Sequence, residues 1–318
     1  MRQEHLEQEV QTVLQDASSV FIMGHADLDL DALGASLGMY HILQKYHPKI
    51  IVDDVTHELG VAKILKKRSN DVDIVKSKEV VDLVDEKSVL FIVDTNKLSL
   101  TQNPKFAESV PTKIVIDHHD VGADTLQTKY SFIETQASST CEMIALSLAS
   151  KNQTIPEDIS VVLLAGIVLD TNNFALKTTA NTYFAAYYLA KCGAKNIDVQ
   201  YLLKQDLEEY IERQHVITDV QVKNKIAITT GDENIKYRRE DLAKIADTLI
   251  MFNDIEASFV IANLKGNAVG ISSRSIGNLN VGEILEKIGG GGDVHEAAAK
   301  LTNTTIEEVS IQLSKLID

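Results

Sequence analysis

The sequence predicts an α/β protein of two domains: a larger N-terminal domain with a mostly parallel sheet, and a smaller C-terminal α+β domain. In the first half of the chain, short β-branched runs alternate with amphipathic helical runs, which is typical of a parallel sheet. In the last third, strand-like alternation lies between fewer helices. At 318 residues the chain is long enough for two hydrophobic cores.

Residues 1–192 are assigned to the first domain. The predicted strands are Val20–Gly24, Lys49–Val52, Ser88–Val93, Lys113–Ile116 and Tyr130–Ile133. The predicted helices are Asp31–Tyr46, Leu59–Lys67, Ser138–Ser150, Pro156–Asp170 and Thr179–Cys192. Ser138 or Ser139 is expected to cap the third of these helices, with Glu142 in its first turn.

Polar helical sequence over 193–218 is expected to connect the domains, and residues 219–318 are assigned to the second. Its predicted strands are Val220–Thr230, Ala257–Asn263 and Ala268–Ser273, and its predicted helices are Asp241–Met251 and Val281–Ile288.

Composition excludes several classes of protein. A content of 44% hydrophobic and 24% charged residues is that of a globular chain, and a net charge of −15 argues against binding long nucleic acid. The longest strongly apolar run, Val161–Leu169, is too short to cross a bilayer. Two distant cysteines and the lack of a secretory leader favour a reducing cytoplasm.

The chemically informative pattern is the placement of acidic and histidine residues where apolar elements end. These residues are His25, Asp29 and Asp31 after the first strand, Asp94 after Ser88–Val93, Asp117, His118 and His119 after Lys113–Ile116, and Asp170 after Val161–Leu169. Any one of them alone is more often a helix cap or a turn former. Because ligand sites form at the carboxyl edge of an open α/β sheet, four such endings together predict a metal site.

Clustered carboxylates need cations, and a mixed set of Asp and His ligands without thiolate favours Mn²⁺ or Mg²⁺. Two such ions can clamp a phosphodiester and activate water. His119, next to a ligand position, is expected to donate a proton to the leaving oxygen.

The sequence Val-Ile-Asp117-His118-His119 resembles the signature of the DHH phosphoesterase family. The other metal motifs match in order and spacing, as do Ala137–Thr140 and the glycine run Gly289–Gly292 of the DHH-associated domain. The resemblance implies two divalent cations, most consistent with Mn²⁺. It assigns one ion to His25, Asp29 and Asp94, and the second to Asp31, Asp94, His118 and Asp170, with Asp94 bridging.

Within the family, the sequence is most similar to the catalytic part of GdpP-type cyclic di-AMP phosphodiesterases. The phrases Phe-Ile-Met-Gly24-His25, Ile-Val-Asp94-Thr95, Leu-Leu-Ala-Gly166-Ile and Ile271-Ser-Ser-Arg274-Ser275 carry this likeness. It implies hydrolysis of cyclic di-AMP to linear pApA, then in part to AMP, by a homodimer. The chain is then either the cytosolic part of a longer membrane-anchored protein or a free-standing relative.

The second domain carries the expected substrate contacts. Consecutive glycines leave backbone N–H groups open to a phosphate, especially before a helix, although a flexible linker is an equal alternative. Arg274 is either a bidentate phosphate or base contact or an exposed strand arginine. The resemblance implies substrate contacts from Arg274, Ser273, Gly290, Gly291, Gly292 and His295.

Three positions depart from the family pattern. Asp293 follows the glycine run where His is usual, and His295 lies two residues later. Asn181 lies near a position that often holds Arg, and Asp27 replaces a small residue or Pro. The departures leave the metal ligands intact and put the substrate preference in doubt.

Other functions compete with the leading one. A short-oligoribonucleotide exonuclease or adenosine 3′,5′-bisphosphate phosphatase of the NrnA kind would use the same site chemistry, and fold alone does not separate the two. A family II inorganic pyrophosphatase shares the metal motifs but not the second domain. A non-catalytic nucleotide-binding module would lack some ligands, and a single-strand nucleic-acid binder would need aromatic platforms in basic grooves.

Overall fold

A computed structural model describes residues 2–53, 58–68 and 71–317, with side chains from residue 7 onward. The chain divides into two compact units, Met1–Lys204 and Gln205–Asp318. The predicted connector over 193–218 therefore spans the boundary between the units, and its role as a separate element stays a prediction.

The first unit is built on a six-stranded, wholly parallel sheet of order β3-β2-β1-β4-β5-β6. Its strands are β1 (Val20–Met23), β2 (Lys49–Ile51), β3 (Ile74–Val75), β4 (Val89–Val93), β5 (Thr112–Asp117) and β6 (Tyr130–Ile133). The parallel sheet is confirmed, and the five predicted strands form. Strands β1 and β4 are buried along their whole length, as expected of central parallel strands.

Nine helices belong to the first unit as described. They are α1 (Arg2–Gln15), α2 (Leu30–Ile42), α3 (Leu59–Arg68), α4 (Ser77–Val80), α5 (Pro104–Ser109), α6 (Thr140–Ser150), α7 (Glu157–Asp170), α8 (Ala180–Lys191) and α9 (Asn196–Leu202). Single 3₁₀ turns occur at Gln44–Tyr46, Val81–Leu83 and Leu98–Leu100. The helix predicted over Asp31–Tyr46 is therefore shorter: it ends at Ile42, and the 3₁₀ turn follows. Helices α2, α6 and α7 pack together in the main core, with most residues of α2 and α7 buried.

The second unit contains a mixed sheet of order β11-β12-β10-β9-β8-β7, in which β8 and β9 are parallel and the other pairs antiparallel. Its strands are β7 (Gln221–Lys223), β8 (Ile226–Thr230), β9 (Ala257–Leu264), β10 (Ala268–Ser275), β11 (Gly291–Gly292) and β12 (Glu296–Thr302). Its helices are α10 (Leu207–Thr218), α11 (Arg239–Leu249), α12 (Val281–Glu286) and α13 (Ile306–Ile317). The strand predicted over Val220–Thr230 is a hairpin, because Asn224 and Lys225 have φ values of 50° and 65° and form a tight turn.

Helix α10 is fastened to α11 by a buried ion pair. The guanidinium of Arg213, which is 5% exposed, donates to the Asp241 carboxylate at 3.1 Å. Arg238 donates to the same carboxylate. Burial would raise the pKa of Asp241, but the contacts with the two arginines hold it below its usual range. Val216 of α10 also lies in the core of this unit.

The expectation of a helix after the glycine run is wrong. Gly291 and Gly292 form β11, and the alanines after them lie in β12, paired with β11 on one side and β10 on the other. Ala297 and Ala299 are buried and Ala298 is exposed, which is the two-residue period of a strand. Packing in the sheet overrides the helical preference of alanine.

Among the residues described, no helix is both long enough and apolar enough to span a membrane.

Candidate metal centre

The predicted ligands meet at the carboxyl edge of the parallel sheet. His25 lies two residues after β1, Asp94 directly follows β4, and His118 follows β5. Asp29 caps the N-terminus of α2, Asp31 lies in the first turn of that helix, and Asp170 is the last residue of α7. Strand β1 has β2 on one side and β4 on the other, so successive strands are added first towards one edge of the sheet and then towards the other. In open α/β sheets, ligand crevices form at the point where the strand order changes in this way.

Among the described residues, three groups of side chains each bring three possible ligand atoms within 4.8 Å of one another, and two of these groups consist of predicted ligands only. In the first, Nε2 of His25 lies 3.6 Å from Oδ1 of Asp29 and 3.4 Å from Oδ2 of Asp94. The second combines Asp31, His118 and Asp170, and Nε2 of His118 lies 3.2 Å from Oδ2 of Asp170.

Asp94 lies between the two groups. Its Oδ2 faces His25, and its Oδ1 lies 3.5 Å from Nε2 of His118. The structure thus brings all six predicted ligands together and puts the predicted bridging carboxylate in the middle.

The Asp94 backbone is held in a sparsely populated conformation, with a φ of 60° that favours glycine. Its N–H donates to the carbonyl of Ile116 in β5, and its carboxylate accepts the hydroxyl of Thr140 at 2.9 Å. Strain of this kind persists where neighbouring structure over-determines it, and it concentrates at functional sites.

Asp31 is oriented by the N-terminus of α6. Its two carboxylate oxygens accept the backbone N–H groups of Thr140 and Cys141 at 2.8 and 2.9 Å. Ser139 caps this helix, as one of the two predicted candidates. The free N–H groups and the dipole of a helix N-terminus favour a carboxylate here.

Burial and mutual repulsion raise the pKa values of three of the four acidic ligands. Burial and the charge of Asp31 raise the pKa of Asp94 to about 7. Burial and the charge of Asp170 raise the pKa of Asp31 to about 6, and burial raises the pKa of Asp170 to about 6. Carboxylates this close cannot all ionise without a compensating positive charge.

His118 carries a nitrogen suited to a cation. Its Nε2 is buried and makes no well-formed hydrogen bond to any described residue, although three carboxylates surround it. Burial alone would lower its pKa, but contact with Asp170 and the charge of Asp94 raise it to about 10. This nitrogen and the carboxylates around it are suitable ligands for a divalent cation, which would satisfy them together.

His119 lies beside the six-residue cluster and forms the third group with Asp94 and His118. Its Nδ1 lies 2.8 Å from Oδ1 of Asp117 and 3.9 Å from Oδ1 of Asp94, and its side chain is 56% exposed. Removal of part of the ring from water lowers the His119 pKa, but the hydrogen bond with Asp117 outweighs this effect and raises it. Asp117 itself is fully buried; the sequence pattern includes it, as the last residue of β5, but does not make it a metal ligand or a partner of His119.

Asn96 fixes the loop that carries His119. Its side-chain amide donates to the carbonyls of His119 and Asp120, each at 3.2 Å, and its carbonyl oxygen accepts from Thr125. Neither Asn96 nor Thr140 was predicted to serve the site, because both act through contacts with residues distant in sequence.

The predicted substrate contacts of the second unit have different surroundings. Arg274 donates to Asp247 at 2.6 Å and to the Ser273 carbonyl at 3.0 Å. Together with Gly291 and Gly292 it lines a cavity of about 470 Å³ that also includes Arg239 and Lys300.

Ser273, Gly290 and His295 do not line that cavity. The Ser273 hydroxyl donates to the carbonyl of Ala297, and the Gly290 amide donates to the carbonyl of Leu285. Nδ1 of His295 lies 3.0 Å from the carbonyl oxygen of Ser275, and the His295 backbone N–H donates to the Asp293 carboxylate.

Comparison with known families covers both units. Residues 19–167 match the DHH family, N-terminal domain, and residues 223–318 match the DHHA1 domain.

Two relatives illustrate the similarity in sequence. The chain is 33% identical over 315 residues to the cyclic-di-AMP phosphodiesterase GdpP of Geobacillus thermodenitrificans, which covers 96% of this chain and 48% of that protein. It is 25% identical over 300 residues to the bifunctional oligoribonuclease and PAP phosphatase NrnA of Mycoplasma genitalium, covering 91% of each. The chain thus spans about half the length of the GdpP relative.

Among solved structures, the fold is similar to an exopolyphosphatase-related protein from Bacteroides fragilis. The TM-score is 0.81 at 20% identity, and the match covers 99% of this chain and 98% of that one. A likeness at this identity bears on the fold alone.

Proposed function

Because this chain belongs to the DHH family and carries a DHHA1 domain, we propose that it is a two-metal phosphodiesterase that hydrolyses cyclic di-AMP to linear pApA. The observation that carries the proposal is the six-residue cluster with Asp94 shared between its two halves. Manganese as the metal, a homodimer and a cytosolic location are part of the proposal.

In this proposal, His25, Asp29 and Asp94 hold one cation, and Asp31, Asp94, His118 and Asp170 hold the other. Divalent cations, when bound, act as Lewis acids on phosphoryl oxygens and lower the pKa of water. The fixed orientations of Asp94 and Asp31, held by the Thr140 hydroxyl and by two amides of α6, prepare the cluster before any cation arrives.

His119 supplies the proton for the leaving oxygen. Asp117 engages its Nδ1, so the proton to be delivered is carried by Nε2. The raised pKa of His119 favours its protonated form, and the ring is exposed enough to meet a substrate. Buried Asp117 therefore orients the acid and stabilises its charged form.

Arg274, Gly291 and Gly292 line a cavity of mixed charge, to which Arg239 and Lys300 contribute positive charge and Glu240 and Glu296 negative charge. The three basic side chains support a role in holding a phosphorylated substrate, although Arg274 is also paired with Asp247. Ser273, Gly290 and His295 stay in the proposal as residues implied by resemblance, although their hydrogen-bonding groups already have partners within the unit.

The choice of cyclic di-AMP rests on 33% identity to a cyclic-di-AMP phosphodiesterase along nearly this whole chain. The NrnA relative supports a second candidate, cleavage of short oligoribonucleotides or of adenosine 3′,5′-bisphosphate, because its alignment covers 91% of both chains.

The test is turnover of cyclic di-AMP, pApA and adenosine 3′,5′-bisphosphate, each with Mn²⁺ and with a chelator. Loss of cyclic di-AMP that the chelator abolishes supports the leading proposal. Cleavage of the linear compounds alone moves the function to short-RNA recycling. Binding without consumption of any of them, with both metal sites loaded, would leave a nucleotide-binding module.

A further inference from the structure

An aromatic pair lies on the two segments that border the metal cluster of the first unit. The rings of Phe174 and Tyr183 are stacked with centroids 5.7 Å apart and planes 15° from parallel. Phe174 is half-buried against the main core, whereas Tyr183 is 59% exposed although Phe174 covers one face of its ring. The outer part of Tyr183 is therefore open for a further flat ring.

Phe174 is tied to the cluster through Asp170. It follows that residue by four positions, in a turn where Asn172, Asn173 and Phe174 have φ values of 44°, 58° and 64°. Three consecutive residues in the left-handed region are unfavourable, most of all for a bulky ring. The turn is nevertheless fixed, since the backbone N–H of Phe174 donates to the buried Thr171 hydroxyl at 2.9 Å.

Tyr183 is tied to the cluster through α8. Its neighbour Thr182 donates its hydroxyl to the buried carboxylate of Glu142 at 2.7 Å, in the first turn of α6. Two residues before Glu142, Thr140 contacts both Asp94 and Asp31. Both rings thus lie on segments that are connected to cluster residues, Phe174 through the chain and Tyr183 through hydrogen bonds.

We infer that Phe174 and Tyr183 form a platform on which one nucleobase of the substrate stacks while its phosphodiester lies at the metal cluster. The inference rests on the proposed function, and it names the part of the substrate that these residues recognise. Aromatic stacking accepts any base because every base has a π-face, and a ring already held by a second ring loses little freedom on binding. Backbone strain held by buried hydrogen bonds gives the pair a fixed orientation.

The chain offers a matched control for Tyr183. Tyr187 lies one turn later on α8 and is equally exposed, at 59%, but its contacts are with Phe184 and Lys191 rather than with Phe174. Tyr183→Ala and Tyr187→Ala therefore remove the same side chain from the same helix. Phe174→Leu removes the inner ring and keeps an apolar side chain against the core.

The experiment is a fluorescence titration of the full chain with a linear dinucleotide that contains 2-aminopurine, whose emission falls when it stacks. Ca²⁺ is the added cation, and chromatography checks that the probe stays intact. An otherwise identical dinucleotide with abasic sugars serves as the second probe in competition. Thermal unfolding and sedimentation of each variant report folding and association.

The expected result is that wild type and Tyr187→Ala quench and bind the base-bearing probe alike. Tyr183→Ala is expected to bind it about tenfold more weakly, with Phe174→Leu in between, and to bind the abasic probe as wild type does. Equal effects of Tyr183→Ala and Tyr187→Ala, equal losses for both probes, or a change in sedimentation without a change in quenching would overturn the platform. The last result would assign the exposed rings to contact with a second copy.

The two proposals fail separately. If wild type cleaves none of the three nucleotides but quenching depends on Tyr183, the platform stands and the phosphodiesterase assignment falls. If cyclic di-AMP is consumed and Tyr183→Ala leaves KM and quenching unchanged, the platform falls alone.

Discussion

Replacing Gly166 by alanine should disturb the metal cluster by crowding its ligand Asp31. A Cβ at this position of α7 would lie 2.6 Å from Sγ of Cys141, 2.8 Å from Oδ1 of Asp31 and 2.9 Å from the Asp31 Cα. The Asp31 carboxylate cannot retreat freely, because two amides of α6 hold its oxygens. The added methyl group therefore forces either the helices apart or the carboxylate out of place.

The magnitude follows from overpacking, which typically costs about 1–3 kcal/mol. The better helix propensity of alanine offsets up to about 1 kcal/mol of this cost, so the net loss is at most about 3 kcal/mol. In a unit of this size each kcal/mol lowers Tm by about 2–4 °C, so we expect a fall of up to roughly 12 °C. We also expect weaker Mn²⁺ binding at the site that contains Asp31, since that ligand is displaced.

Gly38→Ala is the matched control. It lies in α2, buried like Gly166 where helices pack, and its Cβ would meet Cγ2 of Ile144 at 2.8 Å and Cδ2 of Leu163 at 3.2 Å. Those atoms belong to apolar core side chains and not to a ligand of the cluster, so Gly38→Ala should lower Tm and leave metal affinity unchanged. Calorimetric titration with Mn²⁺ and thermal unfolding separate the two effects. A Gly166→Ala variant with wild-type Tm and wild-type Mn²⁺ affinity would refute the reasoning.

Three further predictions concern the cluster and its loop. Asp94→Ala should lower turnover by at least about 100-fold and reduce bound Mn²⁺, because both halves of the cluster lose a shared ligand. Asp120→Ala, at the exposed position after His119, should keep wild-type turnover and bound Mn²⁺. An Asp94→Ala protein that binds its full Mn²⁺ and stays active would disprove the shared role. Asn96→Asp should lower kcat more than it raises KM, because a carboxylate opposite two carbonyls releases the His119 loop, and an unchanged kcat would show that this clamp is dispensable. The pKa values of Asp94 (about 7) and His118 (about 10) are raised in the folded, metal-free chain, which therefore holds more protons than the unfolded chain. The stability of the metal-free protein then falls as pH rises. The contribution of Asp94 is lost above about pH 4 and that of His118 above about pH 6.5. The gap in Tm between metal-loaded and chelated protein should therefore widen from about pH 5.5 to about pH 8, and a constant gap would contradict it.

The sequence was sufficient to predict the parallel sheet and to place the acidic residues at its edge. Buried parallel strands appear as short β-branched runs, and whatever follows them in sequence must lie at the carboxyl edge. His25, Asp94 and His118 are therefore brought together by topology alone, without any knowledge of side-chain contacts.

What could not be predicted depends on contacts between residues distant in the chain. Thr140 reaches Asp94 across 46 positions, and the amide of Cys141 reaches Asp31 across 110. No local pattern marks such partners, since a threonine or an amide at the start of a helix looks the same whether or not a carboxylate faces it. The aromatic pair of Phe174 and Tyr183 was missed for the same reason.

The second unit was harder to predict because its strands violate local preference. Strand β12 begins Glu-Ala-Ala-Ala, a sequence that favours a helix when isolated. It is extended because β10 and β11 bond to it on both sides, and Gly292 permits this pairing with a φ of 152° and no side chain. Secondary structure that depends on its neighbours in this way is not visible in a single segment.

The buried pair of Arg213 and Asp241 has a consequence for anyone who divides this chain by cloning. A fragment started at residue 219 would discard Arg213 and Val216, so Asp241 would keep its charge with one arginine fewer and the core would open onto solvent. Such a fragment should be prone to proteolysis and aggregation even though it contains every strand of its sheet. A cut before Gln205, whose side chain also accepts from Arg213, would retain the whole helix and both of these contacts.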